Sequence, residues 1–102
     1  MGYTLSRAAI ASLTDIYAYS YETWGAVQAD KYLDGIYDCF DRILSQSELW
    51  RPIPAAFEIS GYYTRYEKHM IYWKQFEDGT VGIAAIIHHS RHQIDRLKEM
   101  NL

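Results

Sequence analysis

The spacing of apolar residues changes once along this chain. From Arg7 to Trp24, the residues Ala9, Leu13, Ile16 and Trp24 recur at intervals built from threes and fours, with Ile10 and Tyr17 beside them. That is the pattern of one buried helix face. Ser6 stands where an N-cap is needed and Gly25 where the helix must stop. Ala29, Leu33, Ile36, Phe40 and Ile43 repeat the spacing, while Asp30, Asp34, Asp38 and Asp41 fall off that stripe. Two helices with almost no chain between them predict an antiparallel hairpin. Ahead of it, Tyr3-Thr4-Leu5 is short and β-prone.

Beyond Ser45 the helical spacing ends. Pro52 and Pro54 oppose regular structure, so the stretch from Ser45 to Ala56 reads as one long loop. After it the period falls to two, in Tyr62–Tyr66, Met70–Trp73 and Val81–Ile87, with Glu77-Asp78-Gly79-Thr80 as a hairpin turn between the last two. Val81–Ile87 is continuously apolar, as expected of a central strand covered on both faces. Ser90 and Gln93 form a capping-box pair, predicting a last helix that starts after Ser90, with Ile94 and Leu97 as its apolar edge and Lys98 near its carboxyl end. The expected class is α+β. An N-terminal strand and a two-helix hairpin pack on a small, mainly antiparallel four-stranded sheet, and a short C-terminal helix follows.

Composition narrows the function classes. A chain of 102 residues that is 49% apolar supports one core, so residues 1–102 read as a single domain. Ten tyrosines and 16% aromatic residues exclude a disordered polymer. The net charge of −3 supplies no overall basic field, so direct sequence-specific nucleic-acid binding by this chain alone is not expected. Cys39 is the only cysteine, which excludes an internal disulfide and suits a reducing compartment. No apolar run approaches the ~20 residues of a membrane span and no charged-then-apolar leader is present. A cytoplasmic protein without membrane contact is expected.

Three of the four histidines, His88, His89 and His92, crowd into one short stretch. His88 and His92 have the i, i+4 spacing of a helical metal pair, but that geometry requires a helix through both. A strand ending at His88 and a cap at Ser90 put them on different elements, so neither a metal nor a cofactor is expected. Histidine catalysis needs a nucleophile or a positioned acid, and Ser60, Thr64 and Ser90 read as turn or cap hydroxyls. Tyr17, Tyr32 and Tyr37 read as rims of the core. Tyr19 and Tyr21 fall away from the apolar stripe and read either as an exposed aromatic patch for a protein partner or as simple surface packing.

The chain resembles the RelE/ParE toxin superfamily, and ParE toxins in particular, over nearly its whole length. The resemblance rests on "YTLSRAAIASLTDIYAYSYETWG", on "AVQADKYLDGIYDCFDRIL", on the hairpin "GYYTRYEKHMIYWK" and on the ending "IAAIIHHSRHQIDRL". It departs from the family pattern in "SQSELWRPIPAAFEIS", in Tyr63 where an arginine is usual, with Arg65 two residues later, and in Trp73 where tyrosine is usual. The resemblance implies a toxin of a type II toxin–antitoxin pair, silenced by a ParD-like antitoxin. ParE branches inhibit DNA gyrase without enzymatic chemistry, whereas RelE branches cut mRNA in the ribosome, and one fold serves both.

The acidic balance and thin cationic equipment favour gyrase over the ribosome. On that reading Arg65, His69, His88 and Arg91 are the target-binding candidates. Leu13, Tyr17, Tyr19, Tyr21 and Tyr32 are the antitoxin-binding candidates, expected on the opposite side. The alternative is a RelE-like ribonuclease using Arg65, His88 and His89, or an inactive homologue that only binds antitoxin.

Overall fold

The computed structural model describes residues 2–100. Strand β1 (Tyr3–Leu5) leads into α1 (Arg7–Trp24) and α2 (Ala26–Leu44); β2 (Arg51–Pro52), a 3-10 turn (Ala55–Phe57), β3 (Tyr62–Tyr66), β4 (His69–Gln75), β5 (Val81–His88) and α3 (Gln93–Glu99) follow. The strands lie in the order β1-β5-β4-β3-β2. β1 runs parallel to β5 and every other pairing is antiparallel.

Ser6 shows how sequence becomes architecture. Its hydroxyl oxygen accepts the Ala9 N–H at 3.0 Å, as an N-cap should, and donates to the Ala84 carbonyl at 2.6 Å. The cap is therefore also a stitch between α1 and the sheet. Ala84 is the extra residue of a β-bulge, since Trp73 faces Ile83 while Tyr72 faces Ala85. Before the bulge Val81 and Ile83 face the helices, and after it Ile86 does, joining Ile71, Trp73, Ile36 and Phe40 in the main core. Ala85 and Ile87 turn to the other side, against Tyr72, Ile53 and Leu97. Both faces of β5 are thus covered, by α1 and α2 on one side and by α3 with the segment before β3 on the other. This explains its unbroken apolar run.

Three expectations are corrected. The sheet has five strands rather than four, because Arg51-Pro52 pairs with Tyr62-Tyr63 at the edge, where a proline without an N–H forfeits no central ladder bond. Trp24 does not complete the buried stripe of α1. Ser20 takes that place, and the hairpin tip projects past the core, leaving Trp24 66% and Val27 83% exposed.

The Ser90–Gln93 capping box also does not form, and α3 begins at Gln93 with His92 in the N-cap position. Ser90 is engaged instead by His88. The Gln93 amide nitrogen donates to the carbonyls of His88 and Arg91 at 2.9 Å each, and its oxygen accepts the Tyr72 hydroxyl at 2.7 Å. Among the described residues no helix is long and apolar enough to cross a membrane.

Candidate functional site

An open cleft of about 800 Å³ separates the helical hairpin from one end of the sheet. Its helical wall carries Tyr19, Trp24, Lys31 and Tyr32, and its sheet wall carries Tyr66, Lys68, His69, His88 and Arg91.

Tyr32 crosses the floor of this cleft. Its hydroxyl is hydrogen-bonded to His69 Nδ1 at 2.7 Å and accepts the Lys68 backbone N–H at 3.3 Å. Its ring packs edge-on against both Tyr66, at 5.4 Å, and His69, at 5.6 Å. Tyr66 reaches this position because α2 carries glycine opposite it. A Cβ on Gly35 would overlap the Tyr66 hydroxyl and ring. An isolated glycine within a helical pattern was the available signal of that close approach.

The imidazoles meet across the β4–β5 ladder, where His69 is the register partner of His88. Their ring centroids are 5.3 Å apart, and His88 stacks on His89 at 4.7 Å. Burial, with His88 and His89 nearby, lowers the His69 pKa from 6.5 to about 4, so this ring is neutral at physiological pH. His88 is also held below its ordinary value, first by burial and then by the neighbouring His89, Lys68, Arg91 and Arg65. Its Nδ1 accepts the Ser90 backbone N–H at 3.1 Å and is hydrogen-bonded to the Ser90 hydroxyl at 2.7 Å. Neutral His88 therefore carries its proton on Nε2.

Of the expected target contacts, His69, His88 and Arg91 line the cleft. Arg65 does not line the cleft: its register partner on β4 is Met70, which packs on the far face of the sheet, and it lies exposed with its Nε donating to the Glu67 carbonyl at 2.7 Å. His89 is exposed just beyond β5, and its backbone N–H donates to the Lys68 carbonyl at 2.8 Å. His92 stands apart, with Nδ1 3.6 Å from Asp95, and shares no helix with His88.

Of the expected antitoxin contacts, Tyr19 and Tyr32 line this same cleft. Tyr17 and Tyr21 form an aromatic pair at 6.2 Å outside it, with the Tyr17 hydroxyl donating to Asp30 at 2.8 Å. Leu13 is 6% exposed and belongs to the core, so it offers no docking surface. The two candidate surfaces are thus not on opposite sides. The turn from α1 to α2 and the β3–β4 hairpin bring Tyr19 and Tyr32 to one cleft with His69, His88 and Arg91, along with Trp24, Lys31 and Tyr66, which sequence reasoning had not placed there.

The family model described as "ParE toxin of type II toxin-antitoxin system, parDE" matches residues 3–93. The chain is also similar to proteins named Toxin ParE1 from two strains of Mycobacterium tuberculosis, CDC 1551 / Oshkosh and H37Rv. Each is 30% identical over 96 residues, covering 92% of this chain and 94% of the relative. With the α+β architecture and the match over nearly the full length, this chain belongs to the ParE toxin family of type II toxin–antitoxin systems.

Proposed function

We propose that the protein arrests growth by binding DNA gyrase in the cytoplasm and that a cognate ParD-like antitoxin neutralises it by occupying the cleft. Membership of the ParE family supports the toxin role. The observation that favours contact over chemistry is the state of the cleft histidines. His88 Nδ1 is occupied by Ser90, and His69 is a desolvated neutral ring tied to Tyr32. Neither is paired with a carboxylate that would orient and charge a general acid–base imidazole, the one histidine–carboxylate pair among the described residues being His92 with Asp95.

Because Tyr19 and Tyr32 share the cleft with His69, His88 and Arg91, an antitoxin segment seated there covers the target-facing residues directly. Neutralisation is then occlusion. A disordered antitoxin segment that folds into the cleft spends part of its binding energy on ordering, which leaves the complex reversible.

The test is supercoiling by purified gyrase with and without this protein, alongside an mRNA cleavage assay in a translating extract. Supercoiling should fall, transcripts should stay intact, and added antitoxin should restore gyrase. Cut transcripts with unaffected gyrase would instead establish the ribonuclease reading, with Arg65, His88 and His89 as its residues. Absence of growth arrest on expression without antitoxin would mark an inactive, antitoxin-binding homologue.

A further inference from the structure

The charge of this molecule is segregated. Asp30, Asp34, Asp38 and Asp41 all lie exposed along α2, whereas the end of the sheet gathers Arg65 and Lys68 from the β3–β4 hairpin with His88, His89 and Arg91 from the exit of β5. A backbone hydrogen bond from the His89 N–H to the Lys68 carbonyl at 2.8 Å joins the two segments, and one from the Arg91 N–H to the His88 carbonyl at 3.0 Å closes the turn after β5. Arg65, Lys68, His89 and Arg91 are all exposed. Arg65 is steadied by a carbonyl, so its charge is not neutralised by that contact.

We infer that this cationic edge, Arg65, Lys68 and Arg91 with the stacked imidazoles of His88 and His89, binds the phosphate backbone of double-stranded DNA. The choice of DNA rests on the gyrase reading, because gyrase is an enzyme that holds duplex DNA. Toxin seated on it through the cleft would meet that DNA at this edge. The guanidinium groups and the ammonium offer fixed positive charge, and the Nε2–H of His88 adds a neutral donor, a mixture suited to phosphate oxygens. No base contacts are implied, so binding is independent of sequence. The acidic α2 face is repelled by DNA, so the molecule approaches end-on and the overall charge of −3 does not cancel the local attraction. Burial and then the neighbouring His89, Lys68, Arg91 and Arg65 lower the proton affinity of His88, and a bound phosphate would offset the charge of the lysine and the arginines.

The test uses the whole toxin, a fluorescent DNA duplex, and gyrase with and without bound DNA. Three phosphate contacts predict that the logarithm of affinity for the duplex falls with the logarithm of salt at a slope of about −2.7, roughly 40-fold between 50 and 200 mM salt. R65Q/K68Q/R91Q should lose at least tenfold, and R65K/R91K, which keeps the charge, should stay within about threefold. E67Q removes an acid from the same edge and should tighten duplex binding by a fewfold, a gain that misfolding cannot imitate. DNA should strengthen wild-type binding to gyrase and leave the triple variant's unchanged. Absence of duplex binding at 50 mM salt, or tighter binding of a poly-glutamate peptide or of RNA than of duplex, overturns the assignment. Wild type that binds duplex with the expected slope but never gyrase would overturn the gyrase reading and leave the DNA-binding edge standing.

Discussion

The hydroxyl of Tyr32 sits 2.7 Å from His69 Nδ1 and accepts the Lys68 N–H, so a single side chain of α2 fastens the helical hairpin to the β3–β4 turn. Tyr32→Phe keeps the edge-on ring packing and leaves both polar partners without their bond. Stability should fall by about 1–3 kcal/mol, the usual cost of a half-buried group left unpaired. Hydrogen exchange at the amide of Lys68 should quicken more than exchange within β5. Uniform quickening across the sheet would show that the hydroxyl is not a local fastening.

Burial of His69 sets a pH dependence. Folding lowers the His69 pKa from 6.5 to about 4, so between these values the unfolded chain binds more protons than the folded one. Stability is therefore complete above pH 6.5 and lost as pH falls toward 4. The loss from this ring is at most about 3 kcal/mol, reduced by solvent screening at the open cleft. Denaturant titrations between pH 7.5 and 4 should show the decline, and His69→Gln should flatten it. An unflattened curve would assign the decline to other groups, His88 first among them.

Gly35 lies in the interior of α2, where alanine would ordinarily gain about 1 kcal/mol in helix propensity. Against that gain, the added methyl overlaps the Tyr66 ring. Gly35→Ala should therefore destabilise, by about 1–3 kcal/mol. In a Tyr66→Leu background the same change should become neutral or stabilising. Thermal unfolding of the four members of this cycle reads the sign change directly, and an unchanged sign would show that the overlap relaxes without cost.

The two amphipathic helices, the cap at Ser6 and the three long strands were legible because each is a local pattern with a local cause. The bulge at Ala84 was not, because an apolar run covered on both faces conceals which side each residue takes. Trp24 was misplaced because periodicity shows which residues share a stripe but not where the sheet beneath it ends. The segregation of charge escaped for a related reason. A net value of −3 averages the acidic α2 face with the cationic sheet edge, and the two segments of that edge come together only through the pairing of His69 with His88.

Gln93 joins three elements, receiving the Tyr72 hydroxyl from β4 and donating to the carbonyls of His88 and Arg91. Burial pushes the Tyr72 pKa up to about 12, so this hydroxyl remains a donor throughout the physiological range. Gln93→Ala strands it along with two carbonyls, and stability should drop by about 1–3 kcal/mol. If the cleft is where gyrase is contacted, loosening of the turn after His88 should also weaken that binding without altering a cleft-lining residue. Gln93→Glu accepts the Tyr72 hydroxyl but cannot donate, so it should recover only part of the loss in unfolding experiments. Full recovery would place the whole effect in the Tyr72 bond.

Tyr19 and Tyr21 are 68% and 53% exposed, yet only Tyr19 lines the cleft, while Tyr21 pairs with Tyr17 outside it. If the antitoxin fills the cleft, Tyr19→Glu removes an aromatic anchor from the interface and puts a charge in its place. Affinity should fall at least tenfold, in line with the ~2 kcal/mol or more of an interface hot spot. Tyr21→Glu should cost less. Both are surface changes, so the stability of the free toxin should move by no more than about 0.5 kcal/mol. Calorimetric titration of each variant with antitoxin separates the two positions. A larger loss at Tyr21 would move the antitoxin from the cleft to the outer face of the hairpin, and occlusion of His69, His88 and Arg91 could then no longer explain neutralisation.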